Sequence, residues 1–394
     1  MGHKIGLLTE GSSKKDYHIV LLVMLVFFVI SLITNILNSI IVDVKESFDL
    51  SLTMTGFLPF TFFIAYGVMS IPAGFLSERF ENKALLSFSF LLMTLASLVF
   101  VFVPTHIVFS FTLFVLGSCM AILQVIINPM LRVAGGEEHF AFNSVVAQLV
   151  FGGASFSSPY LYKYLVNVDA NENWATMLRS FVPDHIPWAL LYLVFSVFCF
   201  VLVLIVLLIK YPTYEKVEGE KAGDSISYMT LIKNKYTHLY FLGIFCYVGI
   251  EQGVGNWISQ FLQEYHQIDP QTFGANTVAY FWAMLTVGCI LGLVLLKIFD
   301  SRKLLVGTTV ITIVCLFFAL LGNSSISLFA FPMLGFFISV MWPIIFSLGL
   351  NSIKKHHGSL SGILCTGIAG GAILPFLIGV IGEITSLKTA LFFI

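Results

Sequence analysis

A chain of 394 residues with 58% hydrophobic and only 10% charged residues departs from soluble proteins, which carry roughly 45 to 50% apolar and about 25% charged residues. A mean hydropathy of +0.95 and 40 phenylalanines exclude a soluble enzyme, a disordered chain and a nucleic-acid binder. The formal net charge of -1 says nothing about partners, because the charges sit in the connections between apolar runs.

In chain order, residues 1–18 are polar and lack a short apolar core ending in a cleavage site, so no removable signal peptide is expected. A bilayer core needs about 20 mostly apolar residues per helix. That length predicts spans near 17–41, 53–76, 84–103, 106–130, 140–162, 186–210, 238–262, 273–296, 304–322, 326–350 and 359–381. The closing run Thr389–Ile394 reads as a twelfth span cut short. The expected fold is an all-α integral membrane protein. The six cysteines lie singly inside apolar runs and read as packing residues.

Positive residues collect on the cytoplasmic side of membrane proteins. With the N-terminus cytoplasmic, all but four of the 20 Lys and Arg residues fall inside, the exceptions being Lys45, Lys163, Arg179 and Lys388. The one long charged connection lies between spans six and seven. It divides the chain into an N-terminal six-helix bundle (1–210), a cytoplasmic linker (211–237) and a C-terminal bundle (238–394).

The two parts repeat one another. At one fixed offset Asn38 falls on Asn256, Gly56 on Gly274, Gly74 on Gly292, Gly117 on Gly335, His139 on His357 and Gly152-Gly153-Ala154 on Gly370-Gly371-Ala372. The same register carries span six past residue 394, which is why the twelfth span reads as truncated. A duplicated bundle places a site between its copies.

After span two the chain reads Gly74-Phe-Leu-Ser-Glu78-Arg79-Phe-Glu-Asn-Lys83, with a weaker copy in Gly292, Lys297, Asp300, Arg302 and Lys303. This resembles the signature loop of the major facilitator superfamily. The resemblance implies that Gly74, Glu78, Arg79, Lys83, Asp300 and Arg302 act in conformational gating. Gln124-Val-Ile-Ile-Asn128-Pro129, Tyr247-Val-Gly249-Ile-Glu251 and Trp342-Pro343 with Phe346-Ser-Leu-Gly349 are similar to the fucose, galactose and glucose symporters of that superfamily. The likeness implies monosaccharide transport by alternating access. The family's proton-coupled fucose members place an Asp in span one and a Glu in span four, where this chain has Ser39 and Gln124. In span five they pair a Gln with an Asn three residues later, where Gln148 here is followed by Phe151. With both usual proton carriers replaced, sodium is favoured over a proton as the coupling ion.

The residues themselves lead to a related site. Of 21 acids only Glu251 falls centrally in a predicted span, and no Lys, Arg or His does. A central Asp, Lys or Arg costs about 2.5 to 3.5 kcal/mol on insertion scales, so such groups mark an ion or substrate path. Glu251 is therefore the expected ion-coupling residue, with Asn256 as a second ligand for sodium. The glycines around it are expected to open the helix and expose carbonyls to a cation. Asn35, Asn38, Gln124, Asn128, Gln148 and Asn256 add amides that both donate and accept, as sugar hydroxyls require. Trp257 and Trp342 offer rings for the sugar's C–H face, although a Trp near a span end, as Trp257 and Trp282 are, is usually an interface anchor. His106, His139, His185 and His266 lie at span ends or in loops and read as solvated.

The expected protein is therefore a cation-coupled sugar symporter of the bacterial inner membrane. It needs no cofactor beyond the coupling ion, works as a monomer in contact with lipid, and binds no nucleic acid. A drug exporter would favour an aromatic, Met-rich cavity over an amide cluster, and a sugar uniporter would need no Glu251. A membrane enzyme would need paired acids or a nucleophile with its base, and only Glu251 is available. A receptor or scaffold explains neither the repeat nor the signature loop.

Overall fold

The computed structural model describes residues 16–135, 140–166, 177–183, 185–209, 231–352 and 357–393. In hydrocarbon a backbone N–H or C=O finds its partner only within its own segment, so spanning pieces become helices. The first set is α1 (Tyr17–Ser47), α2 (Leu52–Arg79), α3 (Asn82–Phe102), α4 (His106–Gly135), α5 (Phe140–Val166) and α6 (Leu190–Leu208). The second is α7 (Lys235–His266), α8 (Ala275–Ile298), α9 (Ser301–Leu321), α10 (Ser324–Ile338), α11 (Met341–Asn351), α12 (His357–Thr366), α13 (Gly370–Ile384) and α14 (Leu387–Leu391).

Side-chain caps start several helices by satisfying the free N–H groups of the first turn. Asp16 accepts from the Ile19 amide, Ser51 from Met54, Asn234 from Tyr236, Asp300 from Arg302 and Lys303, and Asn323 from Ile326. Among the described residues nine stretches are long and apolar enough to cross a membrane, and α5 and α7 add two more polar helices of comparable length.

Each set encloses its own apolar core. The first core draws on α1 to α6 and takes in Ala275 and Ala372 of the second set. The other is built from α7 to α11, α13 and α14 around Trp257, Phe261, Phe281 and Phe331, while Leu360 and Leu364 of α12 join Leu231 in a small separate cluster. Between membrane helices close packing replaces the hydrophobic effect, and small residues allow it. Gly117 of α4 sits on the Phe62 carbonyl of α2, and its repeat counterpart Gly335 of α10 sits on the Phe281 carbonyl of α8. The two contacts are related by the repeat to within one residue.

The sets meet along a seam running from mid-depth to the end where α1 and α7 finish. Gly255 of α7 lies against Asn38 of α1, Gly152 of α5 against Thr286 of α8, and Gly56 of α2 against Pro375 and Phe376 of α13. Polar bridges close the far end. Gln263 donates to Glu46 at 2.8 Å, Lys163 to Asn276 at 3.0 Å, and the Thr53 amide to Glu383 at 2.9 Å.

Several expectations are corrected. The glycine-rich stretch around Glu251 does not open: α7 is one unbroken helix, and Gly249 and Gly255 serve packing against Leu374 and Asn38. The breaks lie elsewhere. The span predicted over 326–350 divides at Ser339–Val340, four residues before Pro343. A proline ring excludes the carbonyl four residues back, here that of Ser339, and the Cys289 thiol reaches this carbonyl at 3.4 Å. The span predicted over 359–381 divides at a short 3-10 turn, Gly367–Ala369. Helix α1 runs on to Ser47, six residues past its predicted end. Trp257 and Trp282 are buried in the core and are not interface anchors. His106 and His266 are half-buried, the second within 3.0 Å of the Ser327 hydroxyl, while His185 is exposed and His139 lies outside the described residues. Most of the predicted linker, 211–230, also lies outside them, and α7 already begins at Lys235.

Candidate functional site

At mid-depth α1, α5, α7 and α8 bring together polar groups that the sequence scatters. Asn35 donates from Nδ2 to the Ser155 hydroxyl of α5 at 2.8 Å and to the Ser31 carbonyl at 3.0 Å. Ser31 and Ser155 are themselves joined at 2.7 Å. One turn along, Asn38 faces Gly255, whose missing side chain leaves the Asn38 amide and the Trp282 ring next to the α7 backbone. Asn256 donates to the Gln252 carbonyl at 2.7 Å, which fixes the rotamer and leaves Oδ1 free.

Many of these groups are unmatched. Asn35 Oδ1, Asn38 Nδ2, Ser39 Oγ, Gln252 Oε1, Asn256 Oδ1 and Trp282 Nε1 are buried without a hydrogen-bond partner among the described residues. A buried unsatisfied polar atom costs about 1 to 3 kcal/mol. Donors and acceptors together, held at that cost on facing helices, suit a ligand that presents hydroxyls.

Glu251 sits directly beside this group on α7. Its carboxylate accepts from Gln252 Nε2 at 3.2 Å and from the Tyr247 hydroxyl one turn back. Tyr247 in turn packs on Trp342 with ring centroids 6.0 Å apart, and Trp342 stacks on Phe346 at 5.9 Å. The predicted coupling acid and aromatic ring thus share one cluster. Trp257 points away: its indole N–H donates to the Pro375 carbonyl at 3.2 Å, joining α7 to α13.

Gln124 is half-buried on α4, and the side chain of Asn128 lies outside the described residues. Gln148 is exposed one turn before Gly152, on the α5 face that meets α8. In the signature loop Gly74 has open space beside it and Arg79 is exposed, while the Glu78 side chain lies outside the described residues. Lys83 donates to the Leu207 carbonyl at 2.7 Å and to Ile209 at 3.1 Å, tying the start of α3 to the end of α6. Asp300 caps α9 through the Arg302 and Lys303 amides at 3.0 and 3.2 Å.

Two residues had no place in the site expected from the sequence. Trp282 presents its unmatched N–H at the seam, a position that only the helix packing reveals. Asp43 is 9% exposed inside α1, although the predicted span stopped two residues short of it. Its oxygens accept from the Tyr162 hydroxyl at 2.5 Å and from Gln271 Nε2 at 3.2 Å.

Two helical sets related by a repeat, with an unmatched polar seam between them at membrane depth, define a multi-pass membrane protein of the transporter class. The chain belongs to the Major Facilitator Superfamily, whose sequence pattern matches residues 23–375. It is 31% identical over 396 residues to the glucose/galactose transporter of Brucella abortus (strain 2308), a match covering 97% of this chain and 92% of that protein. It is 24% identical to the L-fucose-proton symporter of Escherichia coli K12, over 93% of this chain and 88% of that protein. Its fold is similar to the crystal structure of a bacterial homologue of the human lysosomal transporter Spinster, with a TM-score of 0.78 at 14% identity over 95% of this chain and 84% of that one. The family is one of transporters and not of enzymes.

Proposed function

We propose that this protein carries a monosaccharide across a bacterial inner membrane by alternating access, in symport with a cation that engages Glu251. The observation that carries the sugar is the paired set of unmatched donors and acceptors on α1, α7 and α8, together with relatives named for glucose, galactose and fucose transport. Asn38 and Asn256 are the central ligands in this reading, with Asn35, Gln124, Asn128 and Gln148 around them and Trp342 as the stacking ring. The relative named as a fucose-proton symporter favours a proton as the cation. The unmatched oxygens of Gln252 and Asn256 on the same helix favour sodium.

With the N-terminus cytoplasmic, the sealed end of the seam is the outer one, and the molecule is poised toward the inside. One chain holds the whole seam, so a monomer suffices. The division near residues 211–237 separates the two moving bundles. Uptake of radiolabelled hexoses into proteoliposomes, with proton and sodium gradients imposed separately, tests the reading. Accumulation under one gradient is expected. Transport of cationic dyes in place of sugars would replace the sugar reading with drug export, and equilibration of sugar without accumulation would replace symport with uniport.

The loop after α2 acts on exchange between states and not on the sugar. Arg79→Ala is expected to leave sugar affinity unchanged by calorimetry while transport falls about tenfold or more, as for other residues that gate a rate-limiting motion. Loss of equilibrium binding in a folded Arg79→Ala protein would contradict this role.

A further inference from the structure

Asp43 has no part in the sugar and coupling site, yet it is a buried carboxylate at the seam. It lies one turn beyond Ser39 on the same face of α1, toward the outer end. Tyr162, of α5 in the first helical set, donates to Oδ2 at 2.5 Å. Gln271 donates to Oδ1 at 3.2 Å from the opposite set, where the turn Pro270–Gly274 leads into α8. Asp269 fixes that turn by accepting from the Gln271 amide at 3.1 Å and the Thr272 hydroxyl at 2.8 Å. The Gln263–Glu46 and Lys163–Asn276 bridges flank it.

Both bonds at Asp43 run from a neutral donor to a carboxylate, and such charge-assisted bonds are roughly twice as strong as neutral ones. The ionised form is therefore the one that holds the two sets together. The carboxylates of Glu46, on α1, and Asp269, in the turn, lie close enough to repel it. The ionised contact is thus held by two donors and opposed by burial of the charge and by two like charges.

We propose that Asp43 is a positioning residue for transport, the carboxylate that latches the outer gate. Ionised, it ties Gln271 to α1 and α5 and keeps the outer side shut. A proton taken from the outer water forms an O–H on Oδ1, the Gln271 bond to that oxygen breaks, and the outer side opens. On closing, the proton returns to the same water and the Gln271 bond re-forms. The inference rests on alternating access and not on the identity of the solute, so its test uses no sugar.

Spin labels at Val103, at the end of α3, and Ser325, at the start of α10, are both exposed and lie on the outer ends of opposite sets. Their distance distribution in the purified full-length protein reads the gate directly. Passing from neutral to mildly acidic buffer is expected to raise the open population of wild type. Asp43→Asn is expected to be about tenfold more open at neutral pH, the effect of one lost charge-assisted bond, and to ignore pH. Gln271→Ala, at a half-exposed position, should likewise open the gate at neutral pH, and it decides the matter if Asp43→Asn does not fold. Glu46→Gln should keep the pH response. A wild-type distribution that ignores pH, an Asp43→Asn response equal to wild type, or a Gln271→Ala gate as closed as wild type would overturn the proposal.

Discussion

Glu251→Gln is expected to abolish gradient-driven accumulation of sugar while leaving exchange of sugar between the two sides partly intact. The substitution keeps the shape of the side chain and its place beside Tyr247 and Gln252, whose donors reach the carboxylate in the native protein. It removes only the titratable charge, the group proposed to bind and release a cation. An amide also keeps one oxygen for the Tyr247 hydroxyl, so the fold should survive. The same liposomes separate the two cations: a proton-coupled protein acidifies the lumen as sugar enters, and a sodium-coupled one is driven by a sodium gradient at constant pH. If Glu251→Gln concentrates sugar as wild type does, the carboxylate is structural and coupling lies elsewhere.

Asn38→Ala is expected to weaken sugar binding 10- to 100-fold, the consequence of losing about 1 to 3 kcal/mol of hydrogen bonding to a ligand. The unusual part of the expectation is the free protein. Asn38 Nδ2 has no partner among the described residues, so its removal breaks no bond there and the melting temperature should hold or rise. A lost interaction that was structural would move both quantities down together. Gln124→Ala and Asn128→Ala belong to the same titration series on α4. Unchanged affinity in all three proteins would remove the sugar from this seam.

The helices were legible because their signal is blunt. Long apolar runs need no partner to be recognised, and even α7 stood out by its length in spite of its polar residues. What hydropathy does not carry is where such a run yields. Pro343 did announce the break at Ser339, since the carbonyl four residues back is the one its ring excludes, yet the apolar run passes straight through both. Asp43 was lost for the opposite reason: one acid and one lysine beyond Val42 look like a span end, and only its contacts with Tyr162 and Gln271 make it interior. Asn38 and Asn256 were visible through the repeat. Trp282 was not, because its value lies in the glycine opposite, on another helix.

Where α2 crosses α13 the two peptide chains meet nearly bare. A Cβ at Gly56 would stand 2.9 Å from the Pro375 carbonyl oxygen, and one at Gly379 would press on the Leu52 carbonyl and stand 3.4 Å from the Gly56 Cα. Around this bare crossing Phe57 and Phe60 of α2 pack on Phe376 of α13 with ring centroids 6.1 and 5.4 Å apart, and Phe63 lies against Gly371. Displacement costs dispersion contact at the backbones and at the rings, each atom pair contributing about 0.1 to 0.2 kcal/mol. Such a junction works as a bearing with a detent: the bare backbones can slide, and the phenylalanine rings beside them mark the position from which they slide.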